Sequence, residues 1–169
     1  MEEWDIYDKE LNKTGKTCVR GKYKLLTGEY HLVVHIWIFT KNGKILLTQR
    51  SENKETDPLK WEGQGGSVLK GESSLAGAKR ETKEEIGLDL EDSQLKEFRR
   101  ERRDHYNDFF VAYYAILDEE EIEKVQFTDG EVVAKKLVTI QEFNELFEKG
   151  EIVNNLYYMK EDYKKIFSN

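Results

Sequence analysis

An α+β fold, with helices covering a mixed β-sheet, is predicted for this 169-residue chain by three observations. The run from Tyr30 to Phe39 is dominated by β-branched and aromatic residues and is followed by the turn-forming pair Asn42-Gly43. Leu75, Ala78, Thr82 and Ile86 recur at spacings of three and four, the period of a helix that buries one stripe. Further strand patterns and then helix patterns fill the second half of the chain without a repeating β-α alternation.

Taken in order, Trp4 to Glu10 reads as a short strand that ends in the turn-prone Asn12-Lys13-Thr14-Gly15, and Thr17 to Tyr23 is either its partner or a loop. Tyr30–Phe39 is the strongest strand. Ile45–Arg50 returns from the Asn-Gly turn as its hairpin partner. Ser51 to Lys60 is polar, holds the sole proline (Pro58), and reads as a loop. From Trp61 to Gly71 the chain is too rich in glycine for an ordinary element, so backbone shape matters there. A helix runs from about Ser73 to Ile86, capped by Ser73 or Ser74 and stopped at Gly87. Gln94–Arg102 and Asp108–Leu117 form a second strand pair joined near residues 104–107, and Glu131–Leu137 is a further strand. Thr139 caps a helix that stops at Gly150, and a last helix covers Asn155 to Phe167.

Length and composition set the limits. No repeat or linker interrupts the chain, which is read as a single domain over 1–169, with its core at about 28–148 and the C-terminal helix at about 155–167. A net charge of -7 and a pI near 5.2 argue against a nucleic-acid polymer or a membrane surface as partner. Cys18 is the sole cysteine, so no internal disulfide forms, and it reads as a small residue near a strand. With no apolar run long enough to span a bilayer and no leader pattern, the expected location is cytoplasmic. Exposed edge strands are compatible with a homodimer.

The chemistry lies on the first helix. Beside its core stripe, Glu81, Glu84 and Glu85 share an arc of about 100° on one flank. Glu81 and Glu85 are one turn apart, and each like-charged pair at ~6 Å repels by roughly 3 kcal/mol at an effective dielectric near 20. A divalent cation reverses that sign, and carboxylate oxygens are what Mg²⁺ or Mn²⁺ selects. Metal-assisted chemistry on a phosphate is therefore the leading expectation.

The full segment is Gly66, five residues, Glu72, seven residues, then Arg80-Glu81-Thr82-Lys83-Glu84-Glu85-Ile86-Gly87-Leu88. It resembles the signature box of the Nudix hydrolases (MutT-like proteins), Gly-x5-Glu-x7-Arg-Glu-U-x-Glu-Glu-x-Gly-U with U aliphatic. Every fixed position matches. Thr82 departs from the usual aliphatic residue at a core-facing position, which touches packing more than chemistry. The resemblance implies an α/β/α sandwich around a mixed sheet and Mg²⁺-dependent hydrolysis of a small-molecule diphosphate, a nucleotide first among them, with Mn²⁺ as the substitute cation. It further implies that Glu81, Glu84 and Glu85 ligate metal, that Glu81 or Glu85 activates water, and that Glu72 is an outer ligand or a brace. Arg80 is implied to hold the glutamates in the catalytic constellation, and Gly66 to let the loop turn close to the metal. A further acid from a later loop is expected at Glu131 or Asp129.

Two rivals share the fold. Residues 28–61 are also similar to isopentenyl-diphosphate isomerase, in which His31 matches a metal-binding histidine by position. The isomerase, however, carries a catalytic cysteine just after the tryptophan, and here Trp61 leads into Glu62-Gly63-Gln64. A non-catalytic ligand sensor is the second rival, and the retained glutamates weigh against it. Of the remaining groups, Arg99 to Arg103 reads as a solvated basic edge, and Tyr106, Phe109, Phe110, Tyr113 and Tyr114 as split between core and surface.

Overall fold

The computed structural model describes residues 1–128 and 130–167. Strands β1 (Glu3–Tyr7) and β2 (Lys13–Val19) form a separate antiparallel hairpin. The main sheet has seven strands: β3 (His31–Thr40), β4 (Ile45–Arg50), β5 (Trp61–Glu62), β6 (Gln64–Ser67), β7 (Lys96–Arg103), β8 (Asp108–Leu117) and β9 (Val132–Val138). Its path is β5-β4-β3-β8-β7, with β6 paired to β3 and β9 to β4. The sheet is mixed, because β3 and β8 run parallel from His31↔Asp108 to Thr40↔Leu117 while the other pairs are antiparallel.

Alternation along β3 divides the core into two faces. Val34, Ile36 and Ile38 pack with Leu46, Val111, Ala78 and Ile86 beneath α1 (Ser74–Ile86). Trp37 and Phe39 pack with Leu47, Phe110, Phe143 and Tyr158 beneath α3 (Ile140–Glu148) and α4 (Met159–Phe167). The result is the α+β helix–sheet–helix sandwich that the sequence predicts. Four local expectations hold as read: the Ser73 cap, whose Oγ accepts from the Ala76 N–H; the left-handed Gly87; the Thr139 cap; and the hairpin at Asn42-Gly43. Thr82 is fully buried and sends its hydroxyl to the Ala78 carbonyl, which satisfies a polar group in an aliphatic slot.

Some boundaries differ. The first turn is tied by Asp8, whose carboxylate accepts from the Glu10 and Asn12 N–H groups, with Leu11 at φ 65°. Asn12-Gly15 therefore lies at and inside the start of β2 rather than in the turn. The C-terminal helix begins at Met159, and residues 154–156 form a 3₁₀ turn ahead of it. A short helix, α2 (Glu119–Glu123), follows β8 with Asp118 and Glu121 as a capping box. The basic run is a solvated edge only in part: β7 ends the sheet and Arg100 and Arg102 are exposed, whereas Arg99 pairs with Asp162 and Glu101, and Arg103 is buried against Asp108. Of the five aromatic residues, Phe109, Phe110 and Tyr113 are buried, Tyr114 is half-buried and Tyr106 is exposed.

On the α4 face of β3, the His35 ring packs against those of Phe110 and Tyr158, which also stack on each other. The Trp37 indole N–H donates to the Tyr158 hydroxyl, which leaves that hydroxyl free to donate to His35 Nδ1 (2.7 Å). Burial, and secondarily the nearby Arg103, pushes the imidazole from 6.5 down to about 3. Between those values the unfolded chain takes up a proton that the folded protein refuses, so stability falls as pH drops from 6.5 towards 3. Urea unfolding at pH 6.5 and pH 5 should show the native protein losing about 2 kcal/mol more than His35→Gln, at about 1.4 kcal/mol per unit. Equal losses would mean that His35 is charged in the fold.

Candidate active site

The site is built where α1 crosses the glycine-rich strand β6. β6 lies against β3 at Val33↔Ser67 through Ile36↔Gln64, and this close approach requires its glycines. A Cβ on Gly65 would stand 2.4 Å from the Val34 carbonyl oxygen, and one on Gly63 2.9 Å from that of Ile36. At Gly66 the constraint is different, because a Cβ there would stand 2.3 Å from the Glu81 carboxyl carbon. The glycine run thus forms a strand whose bare backbone makes room for an acid from α1.

Arg80 ties the surrounding groups together. Its Nε and Nη2 donate to the two oxygens of Glu72 (2.8 and 3.0 Å), Nη2 also donates to the Ser67 carbonyl (2.8 Å), and Nη1 is shared by Glu81 (2.8 Å) and Glu84 (3.0 Å). Glu72 also accepts from the Leu69 N–H, so both its oxygens are engaged in bracing the loop. Such charge-assisted bonds fix carboxylate directions. Glu84 is the exposed member of the set.

Glu85 is 7% exposed, and its carboxylate accepts from the Gly65 N–H at 3.2 Å. Burial raises it well above the usual carboxylate range, and the negative neighbours Glu62 and Glu81 raise it further. Burial also raises Glu81, against the opposing pull of Arg80, and raises Glu62, against Arg50. Glu62 on β5 stands opposite Thr48 on β4, and both its oxygens accept from Arg50 Nη1 (2.8 and 3.0 Å). Three acids therefore sit within electrostatic reach of one another in a partly dry site, the arrangement that a hard cation relieves. As they stand, no three His, Cys, Asp or Glu groups among the described residues are close enough to hold an ion together. Arg80 Nη1 bridges Glu81 and Glu84.

The other expected residues are spread wider. Glu131 pairs with Lys54 across the mouth of the site, and its carbonyl accepts from the Ser51 N–H (2.8 Å). Lys54 in turn lowers the carboxyl groups of Glu62 and Glu85 from a distance. Asp129 lies outside the described residues. His31 is stacked on Trp4 at 4.3 Å, on the face of β3 that carries His35 and Trp37, and lines the same cavity as Glu62 and Gly66. Glu62 is the acid that sequence reasoning missed; the readable signal was a lone carboxylate between the Trp61 anchor and the first glycine.

A cleft runs from these acids along β6. A cavity of about 340 Å³ is lined by His31, Val33, Glu62, Gly65, Arg103 and Tyr106, among others. It adjoins a second cavity of about 400 Å³ that shares Arg50, Glu62 and Tyr106.

Comparison with known proteins points the same way. Residues 29–159 match the NUDIX domain family. An uncharacterized Nudix hydrolase of Listeria monocytogenes is 35% identical over 166 residues, covering 95% of this chain and 96% of that protein. A crystal structure of a Deinococcus radiodurans protein superposes with a TM-score of 0.74 at 18% identity, covering 90% of this chain and 92% of that one. The NUDIX domain of Shewanella oneidensis NrtR, solved in complex with ADP ribose, superposes with a TM-score of 0.56 at 18% identity, covering 76% and 82%.

Proposed function

This chain belongs to the Nudix hydrolase family, and from that premise we propose that it cleaves the diphosphate linkage of a small-molecule substrate, a nucleoside diphosphate derivative in particular, with Mg²⁺ as its cation. The observation that carries this reading is the placement of Glu85: a buried carboxylate with two acidic neighbours, hydrogen-bonded to the N–H of Gly65 in the glycine-rich strand that lines the cleft. Mg²⁺, or Mn²⁺ in its place, would be held by Glu81, Glu85 and Glu84, and when bound it neutralises phosphate charge and acidifies a ligated water. The whole chain is proposed to work as one domain, in the cytoplasm; no helix of the described residues is long and apolar enough to cross a membrane.

The protein's own groups do the rest. Arg80 holds Glu81 and Glu84 in direction and spreads their repulsion, with Glu72 as the brace that keeps Arg80 in place. Gly66 leaves the space that the Glu81 carboxylate fills. Glu85, buried and held by the Gly65 N–H, is the carboxylate proposed to take a proton from the attacking water. Glu62 keeps negative charge beside it and anchors Arg50, a residue that lines both cavities. For the isomerase rival the needed thiol is missing: Glu62 and Gln64 follow Trp61, and Cys18 is buried in the β1–β2 hairpin.

Binding of the cation should be visible without turnover. Mg²⁺ at about a hundred times its dissociation constant should raise Tm by roughly 5–10 °C, from about 2.7 kcal/mol of linkage. A differential scan with Mg²⁺, Ca²⁺ and chelator checks this. An unchanged Tm with every divalent ion would remove metal from the reading.

A further inference from the structure

The hairpin β1–β2 lies outside residues 29–159, which match the family, yet it grips the loop that leads into α1. That loop turns tightly at residues 69–72. The Glu72 N–H donates to the Leu69 carbonyl (3.0 Å), and Gly71 sits at φ 82°. A positive φ at the third residue of a four-residue turn calls for glycine. The two central N–H groups of this turn are both taken by β1. Lys70 N–H donates to the Glu3 carbonyl (2.8 Å), and Gly71 N–H donates to the Asp5 carboxylate (2.9 Å). Lys70 Nζ adds a bond to the Glu3 carboxylate (2.9 Å).

The hairpin is itself fixed to the main sheet. Ile6 and Tyr7 are buried, Tyr7 and Tyr30 exchange backbone bonds of 2.8 and 3.0 Å, and Trp4 stacks on His31. Its hold on the turn therefore comes from an anchored strand. Beyond the turn, contacts run without a break to the acids of α1. Glu72 accepts from the Leu69 N–H and from Arg80 Nε and Nη2, and Arg80 Nη1 donates to Glu81 and Glu84. A turn free to shift would carry Glu72 with it, and Arg80 and Glu81 would lose their direction. Glu3 meets the turn's N–H pair with its carbonyl and Asp5 with its side chain, so Asp5 can be changed without disturbing backbone pairing.

We propose that Asp5 is a positioning residue of the active site: through the Gly71 N–H it fixes the turn that presents Glu72 to Arg80, and so the direction of Glu81 towards the cation. The proposal rests on the metal-dependent hydrolase reading and extends it to a segment outside the matched domain. Asp5 has a second partner, Lys13 Nζ at 2.6 Å, and that ion pair ties β1 to β2. The two roles predict different variants.

The experiment compares Asp5→Ala, Asp5→Asn and Lys13→Ala with the native protein. Each is measured for Gly71 amide exchange by NMR without metal, for the Mg²⁺ dissociation constant from the thermal shift, and for kcat and KM on the best-cleaved member of a panel of nucleoside diphosphate derivatives. Asp5→Ala should speed Gly71 exchange, weaken Mg²⁺ binding about tenfold and lower kcat about tenfold at near-native KM, the lower end of the effect of losing a partner that orients a metal ligand. Asp5→Asn keeps an oxygen for the Gly71 N–H and should restore both. Lys13→Ala should bind Mg²⁺ and turn over like the native protein. If Asp5→Ala does not fold, Asp5→Leu, with the same branching and no acceptor, takes its place. Native Mg²⁺ affinity and kcat in Asp5→Ala, or equal losses in Lys13→Ala, would overturn the role. Turnover by the native protein decides the hydrolase reading separately. Cleavage that Asp5→Ala leaves intact sinks the positioning role and spares the hydrolase, whereas weakened Mg²⁺ binding in Asp5→Ala with no turnover of any diphosphate by the native protein does the reverse.

Discussion

Replacing Glu85 with glutamine is expected to lower the rate of diphosphate hydrolysis by about 10²–10⁴-fold, the range for loss of a general base, while leaving the fold intact. The structure separates the two effects. Glu85 is buried beside Glu62 and Glu81, so its charge costs stability whenever no cation is bound. Glutamine keeps the size of the side chain and an oxygen to accept from the Gly65 N–H, and it removes that charge. Without metal the variant should therefore melt at or above the native temperature. With Mg²⁺ it should lose most of the thermal shift, since a ligand is gone. A stable, inactive, metal-insensitive protein is the expected outcome. Native activity in Glu85→Gln would show that this acid neither binds metal nor moves a proton.

The second large effect is at Gly66, and its value lies in the contrast with Gly65. An alanine Cβ at 66 would meet the end of a flexible side chain, the carboxyl group of Glu81 at 2.3–2.6 Å. Glu81 can rotate away, so Gly66→Ala should cost little stability. It must, however, leave Arg80 Nη1 and the position opposite Glu85. A displacement of about 1 Å in a positioned catalytic group can cost 10²-fold in rate, and a loss of that order is expected. At Gly65 the added Cβ would meet the Val34 backbone oxygen at 2.4 Å, and a strand cannot swing aside. Gly65→Ala should therefore lower Tm clearly and activity only as the fold is lost. Tm and kcat measured side by side for the two variants check the distinction. Matching profiles would mean that Gly66 is simply a strand glycine.

Much of the site was legible because its signals are local. The Ser73 cap, the stripe of Leu75, Ala78, Thr82 and Ile86, and the Gly87 stop lie within fifteen residues, and they orient the glutamates without help from the rest of the chain. Arg80 as the holder of the glutamates came through the family resemblance, and the geometry places its guanidinium among Glu72, Glu81 and Glu84. What stayed hidden depends on pairing over long distances. Glu62 meets Glu85 because β5 pairs with β4 and β6 with β3, a contact that no spacing encodes. Arg103 looked like one more charge in a basic run, yet a tight turn brings it onto Asp108 and closes two rings over it. His31 stacks on Trp4, which arrives from a hairpin whose turn is set by Asp8 and a left-handed Leu11. The glycine run told of special backbone, but its role as a paired strand appears only against β3.

The most direct test of a hydrolase built on Glu81 and Glu85 is turnover in ¹⁸O-labelled water with Mg²⁺, using a panel of nucleoside diphosphate derivatives and isopentenyl diphosphate, with both products identified. The expected result is cleavage of at least one nucleotide, one ¹⁸O atom in a phosphate of the product, and loss of that signal with chelator or in Glu85→Gln. Conversion of isopentenyl diphosphate to its allylic isomer, or no label entering phosphate from any substrate, would contradict it.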